Sequence, residues 1–246
     1  DTMIEFNHVS KLYGDKEALS DLNLIIKNGE IFGLIGHNGA GKTTTISILT
    51  SIIEASYGEV FVDGKPLEEN REAIKKQIGY VPDSPDIFLN LTANEYWQFL
   101  AKIYGVSDED RETRLDHLTT LFELKDEINQ TIDSFSHGMR QKVIVIGALV
   151  SDPSIWILDE PLTGLDPQAS FDLKEMMKSH AASGHTVLFS THVLSVAEQL
   201  CDRIGILKKG KLIFVGTIDD LKEHHPEKDL ESIYLELAGR KAQEEG

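Results

Sequence analysis

Apolar residues recur along this chain in two rhythms. Up to residue 35 they fall in short runs, Met3–Phe6, Ala18–Ile26 and Glu30–Ile35, separated by Tyr13-Gly14-Asp15 and Lys27-Asn28-Gly29. Such runs between turn residues predict strands. Ile46, Ile48, Leu49, Ile52 and Ile53 then predict a helix, and Glu59–Val62 and Gly79–Val81 predict further strands. From Leu91 to about Leu124 the rhythm is helical, with Tyr96, Trp97, Leu100, Ile103 and Tyr104 at i, i+3, i+4 spacing. Beyond Gly138 a helix (Gln141–Val150), a strand (Ser154–Leu158), a helix (Gln168–Ser183) and a strand (Thr186–Ser190) alternate. That alternation implies an α/β core with a parallel sheet. Strands at Ile204–Leu207 and Leu212–Val215 flank Lys209-Gly210, and Leu230, Ile233, Tyr234 and Leu237 form one apolar stripe of a C-terminal helix. This helix is expected to dock on the core, and the last residues are expected to fray.

Neither a repeat nor a low-complexity linker is visible, so the reading is one domain over 1–246. It comprises a core from 1–85 and 136–218, a helical subdomain at 86–135 and a helical tail at 219–246.

Two stretches carry chemistry. Gly36-His37-Asn38-Gly39-Ala40-Gly41-Lys42-Thr43 follows an apolar strand, precedes a helix, and matches G-x-x-x-x-G-K-[ST], the Walker A pattern. Its glycines let the backbone wrap a phosphate chain, with N–H groups from Asn38 to Lys42 as donors and the helix N-terminus adding a favourable dipole. Lys42 supplies a point charge to the β- and γ-phosphates, Thr43 a hydroxyl ligand for Mg²⁺, and Thr44 can reach another phosphate oxygen. The second stretch, Ile155-Trp156-Ile157-Leu158-Asp159-Glu160, is an apolar strand ending in two carboxylates, as in a Walker B motif. Asp159 is then a holder of Mg²⁺, and Glu160 the acceptor of a proton from the water attacking the γ-phosphate. The expected ligands are ATP and Mg²⁺.

Composition narrows the setting. Against 24 Lys and Arg stand 41 Asp and Glu, a formal net charge of -17. This argues against a nucleic-acid partner, because phosphate backbones bind clustered basic side chains. The longest apolar run, Val143–Val150, is far shorter than the ~20 residues of a membrane span, and no secretory signal is recognisable. The single cysteine, Cys201, reads as a small buried apolar side chain in a reducing cytosol.

With its later elements the chain resembles the ATP-binding cassette (ABC) family over nearly its whole length. Glu160-Pro161-Leu162-Thr163-Gly164-Leu165-Asp166 resembles the family's Walker B to D-loop junction, and Ser190-Thr191-His192 its switch histidine. The resemblance implies that His192 contacts the γ-phosphate and helps to hold the attacking water and Glu160. Ser136-His137-Gly138-Met139-Arg140-Gln141 takes the place of the signature Leu-Ser-Gly-Gly-Gln, with Ser136 and Gly138 retained. In this family those residues grip a phosphate held by the opposite protomer, which implies a head-to-tail dimer, homo- or heteromeric, around two nucleotides. Tyr13 is similarly placed to the aromatic that stacks on adenine, the alternative being a surface-packed tyrosine. Ile78-Gly79-Tyr80-Val81-Pro82 resembles the approach to the Q-loop, but Asp83 stands where the family has glutamine. Asp83 is either a Mg²⁺ ligand or sensor, or a turn residue within Asp83-Ser84-Pro85-Asp86.

The family's fold implies a P-loop core with an N-terminal antiparallel β-subdomain and an inserted helical subdomain. Among Phe88, Tyr96, Trp97, Phe99 and Tyr104, most are expected in that subdomain's core, with one or two lining a groove for a membrane partner. The signature and short C-terminal region resemble the bacterial exporter branch. The implied protein is an ATPase subunit peripheral to the inner face of the cell membrane, powering a separate transmembrane permease chain. A soluble ABC-type ATPase of protein or cluster assembly is the alternative. Translation and DNA-repair members fit poorly, since neither a second cassette nor a long coiled coil is present.

Overall fold

The computed structural model describes residues 2–239, so the expected fraying at 240–246 lies outside the described residues. Strands β1 (Thr2–Tyr13) and β2 (Lys16–Lys27) form a long antiparallel pair. The sequence suggested a shorter first strand, Met3–Phe6. Polar residues interrupt its alternation, yet pairing with β2 and later with β4 carries the strand through irregularities near His8, whose φ is 52°. β3 (Ile31–Ile35) enters the core and leads through residues 36–41 into helix α1 (Lys42–Leu49). Ile52 was expected on that helix. It lies beyond the helix end and is 60% exposed, because Ser51 takes a left-handed conformation (φ 63°) that stops helical propagation.

β4 (Tyr57–Val62), β5 (Lys65–Pro66), α2 (Arg71–Lys75) and β6 (Ile78–Val81) follow. The helical segment holds α3 (Ala93–Ile103) and α4 (Asp108–Leu121), before α5 (His137–Leu149) returns the chain to the core. Next come β7 (Ile155–Asp159), α6 (Pro167–Ala182), β8 (Thr186–Thr191), α7 (Leu194–Leu200), β9 (Arg203–Lys208), β10 (Lys211–Gly216), α8 (Ile218–Glu223) and α9 (Leu230–Ala238).

Two sheets result. The smaller, β2-β1-β4-β5, is antiparallel; the larger runs β10-β9-β3-β8-β7-β6, parallel except for the β10–β9 pair. The central strands are covered on both faces. In β7, Trp156 and Leu158 join the core beneath α5 and α6, while Ile155 and Ile157 join that beneath α1 and the antiparallel sheet. Burial on both faces explains the uninterrupted apolar run, which alternation could not resolve.

The helical segment is joined to the core by specific contacts. Trp97 Nε1–H donates to the Val143 carbonyl at 2.9 Å, and the Tyr104 hydroxyl to that of Ile78 at 3.0 Å. Tyr96 and Trp97 are buried, whereas Phe88 and Phe99 are about half exposed (49% and 47%) and lie on its surface with Ile103. Among the described residues no helix is long and apolar enough to cross a membrane.

Candidate functional site

The site lies at the carboxyl ends of β3, β7 and β8, where side chains from adjacent parallel strands converge. Residues 36–41 form its floor. Gly41 precedes α1 with φ 110°, a conformation that disfavours any side chain, and a Cβ on Gly36 would sit 2.8 Å from the Leu207 carbonyl oxygen. The loop is propped by the Lys209-Gly210 turn, whose Gly210 N–H donates to the Ala40 carbonyl at 2.9 Å.

Above this floor a polar network ties α1 to the ends of β7 and β8. Lys42, only 5% exposed, places Nζ 2.7 Å from Glu160 Oε1. His192 Nδ1–H donates to Glu160 Oε2 at 3.1 Å. Thr43 Oγ1 donates to Asp159 Oδ2 at 3.1 Å, and Ser190 Oγ donates to Asp159 Oδ1 at 2.5 Å while accepting from the Glu160 N–H at 2.9 Å. Ser190 thus orients the Asp159 carboxylate and pins the Glu160 backbone through a single hydroxyl. Sequence reasoning had placed Ser190 beside the switch histidine but assigned it no role, and only the β7–β8 register, which pairs Asp159 with Ser190, reveals one.

The two carboxylates have opposite electrostatics. Burial pushes Asp159 up, and the nearby charges of Asp83 and Glu160 push it further, more than the Ser190 and Thr43 hydroxyls pull it down. For Glu160 burial also pushes upward, but the bonds from Lys42 and His192 outweigh it and hold the carboxyl below its usual range. Glu160 is therefore ionised at neutral pH and able to accept a proton.

A cavity of about 440 Å³ opens above the loop. Tyr13, Asn38, Gly39, Gly41, Lys42, Thr43, Thr44, Asp83 and Glu160 line it, together with Lys16 and Lys209, which sequence reasoning had not singled out for binding. Tyr13 is half exposed at its rim, with Lys11 Nζ 5.2 Å from its ring centre. Asp83 faces the same cavity rather than turning away. His37 and Ala40 belong to the loop without lining the cavity: His37 is exposed and Ala40 buried.

Ser136, Gly138 and Asp166 are not among the lining residues either. Ser136 caps α5, accepting from Met139 N–H at 3.2 Å, and Asp166 caps α6, accepting from Ala169 N–H at 2.8 Å. The imidazole of His137 fills the space beside Gly164, joining the two loops to each other. Cys201 as a whole is partly exposed, but its Sγ packs over Gly33, and burial of the thiol raises its pKa strongly.

Residues 19–163 match the model of the family described as ABC transporter. The chain belongs to that family. It is 33% identical over 238 residues to the ABC transporter ATP-binding protein NatA of Bacillus subtilis (strain 168), covering 95% of this chain and 97% of the relative. A solved structure of an ATP-binding subunit of an ABC transporter superposes with a TM-score of 0.91 at 35% identity, covering 96% of this chain and 99% of that one. The cassette MJ0796, solved as a post-hydrolysis dimer bound to ADP and Pi, matches with a TM-score of 0.79 at 28% identity, over 88% of this chain and 99% of that one. The ABC protein described here is an ATPase that uses ATP with Mg²⁺.

The donors present suit that metal. Thr43, Asp159 and Asp83 offer only oxygen, the ligand preferred by hard divalent cations, beside a loop built for phosphate.

Proposed function

We propose that this chain is the energy-coupling subunit of a transporter whose membrane-spanning part is a separate chain, and that it works by ATP-driven closure of a cassette dimer. One observation carries the reading. Ser136 and Gly138 stand at the exposed start of α5, outside the cavity lined by Lys42, Thr43 and Glu160. A hydroxyl and free N–H groups at a helix start suit a phosphate, so a second protomer is the natural source of the one they would grip.

In this mechanism the backbone donors of residues 38–42 cradle the phosphates, and Tyr13 stacks on the base. Lys42 shares its charge between the phosphates and Glu160. Thr43, Asp159 and Asp83 would hold Mg²⁺, which supplies charge neutralisation on the phosphate oxygens. Glu160, kept ionised by Lys42 and His192, orients and deprotonates the attacking water. His192 holds Glu160 in place, and Asp166 lies at the loop facing the partner. Hydrolysis removes the γ-phosphate contacts that keep the dimer closed.

The exposed Phe88, Phe99 and Ile103 support a docking face for the membrane chain on the helical subdomain. The subunit would then sit peripherally on the cytoplasmic side of the membrane, and the exporter-like signature Ser136–Lys142 favours that branch of the family. Co-purification from detergent-solubilised membranes tests the coupling. Recovery with an integral membrane chain, lost when Phe88 and Phe99 are replaced by Ser, supports it. Recovery with soluble partners alone would point to an assembly ATPase.

A further inference from the structure

Helix α9 is remote from the ATP site in sequence but adjoins it in space. Ile233, Tyr234 and Ala238 share one small core with Ile35, the residue before the phosphate loop, and with Leu194 and Ala197 of α7, which starts just after His192. The Tyr234 ring reaches further than this core. Its centre lies 5.4 Å from that of His37, tilted by 46°, so it touches the first turn of the phosphate loop. Tyr234 is 3% exposed, and its hydroxyl is buried with no hydrogen-bond partner among the described residues. Burial, then the charge of Glu160, then that of Glu231, pushes that hydroxyl up to about 12, so the side chain is a neutral group beside the phosphate loop at neutral pH.

Elsewhere the loop is fixed by backbone: Gly36 against the Leu207 carbonyl, and Ala40 by Gly210. The His37 flank has an exposed side chain whose aromatic neighbour is Tyr234. We propose that Tyr234 is a positioning residue for nucleotide binding, its ring bracing His37 so that the loop's N–H donors stay aligned for phosphates. The inference rests on the phosphate-loop reading of residues 36–43. Through the core it shares with α7, the C-terminal helix also links the phosphate loop to the segment that carries His192. The ring does this work and the hydroxyl does not, since a buried hydroxyl without a partner contributes no net bond.

The test is ATP and ADP affinity by calorimetry, with steady-state ATPase kinetics, on the full chain and its variants. Tyr234→Phe keeps the ring and is expected to bind within about twofold of wild type. Tyr234→Ala and Tyr234→Leu are expected to weaken both nucleotides about two- to tenfold, the range that one aromatic contact carries, with KM rising more than kcat falls. Tyr234→Leu keeps α9 docked through an apolar side chain, so it decides the matter if the alanine variant melts. A double variant with His37→Ala should be no weaker than the more affected single variant, as for two residues acting through one contact. Wild-type affinity in Tyr234→Leu, a Phe variant as weak as the Leu variant, or strictly additive effects with His37→Ala would each overturn the proposal. Failure of the wild type itself to bind ATP would instead sink the phosphate-loop reading.

Discussion

Lys42 Nζ lies 2.7 Å from Glu160 Oε1, an ion pair on the cavity wall joining the phosphate-loop lysine to the strand-end carboxylate. Both side chains are largely shielded, at 5% and 19% exposure. Removing the charge of Glu160 should therefore act on turnover and leave Lys42 free for phosphate. Glu160→Gln is expected to bind ATP at least as well as wild type, to lose turnover by about 10²–10⁴-fold as for removal of a general base, and to accumulate as a dimer with ATP. Phosphate release and light scattering measure both. Wild-type turnover would remove Glu160 from the role of base.

Asp159 and Glu160 should respond oppositely to pH. The Asp159 pKa is raised on folding, so its ionised form costs stability, and that cost grows as pH rises from the ordinary Asp value, about 4. Glu160 is depressed, so its ion pair contributes stability above the ordinary Glu value, about 4.3, and loses it as pH falls through the lower folded value. Asp159→Asn is expected to raise the melting temperature at pH 7 and to lose that advantage near pH 4, while abolishing Mg²⁺-dependent turnover. A melting temperature lowered at pH 7 would contradict the assignment.

The charge of Asp83 is one cause of the raised Asp159 carboxyl. Asp83→Asn should lower the pH at which Mg²⁺-dependent turnover is half lost, because Asp159 then ionises more readily. Asp83→Gln should do the same with a longer reach. Unchanged Mg²⁺ and pH profiles in both would place Asp83 outside the metal's surroundings, despite its position on the cavity wall.

The proposed phosphate contact of Ser136 must be separated from its observed cap of α5. Ser136→Ala is expected to cost about 1 kcal/mol through the lost cap and to weaken ATP-driven association. Ser136→Asp keeps a cap acceptor but opposes a phosphate with like charge, so it should remain folded, bind ATP as a monomer and fail to dimerise. Dimerisation of the Asp variant with ATP would argue against Ser136 meeting a partner's phosphate.

Arg140 Nη1 lies 2.8 Å from Asp86 Oδ1, and its other nitrogens donate to the Ile132 and Asp133 carbonyls. Asp86 is half exposed, so Asp86→Ala should change stability by less than about 1 kcal/mol. Arg140→Ala removes three side-chain bonds but leaves the Ile132 carbonyl its Phe135 N–H, and should cost about 1 kcal/mol. Thermal denaturation of the two variants compares them directly.

Much of this protein was legible from residue order alone. Gly36–Thr43 needs only the local strand–glycine–helix pattern, and the two-sided burial of β7 follows from Ile155–Leu158 being apolar throughout. The helix that ends at Leu49 and the first strand that runs on to Tyr13 were misjudged, because a left-handed Ser51 and a long-range antiparallel partner decided them. Local sequence also placed Asp159, Glu160 and His192 at strand ends. Only the parallel register of β3, β7 and β8 brought them into one hydrogen-bonded network and made Ser190 the hydroxyl that holds the Asp159 carboxylate and the Glu160 backbone. The same holds for Tyr234 and His37, which are far apart in the chain and meet because α9 buries its apolar stripe against β9 and α7. Periodicity and turn chemistry act over a few residues and so can be read along the chain. Strand register and helix docking are set by burying surfaces from distant segments together, which no local pattern specifies.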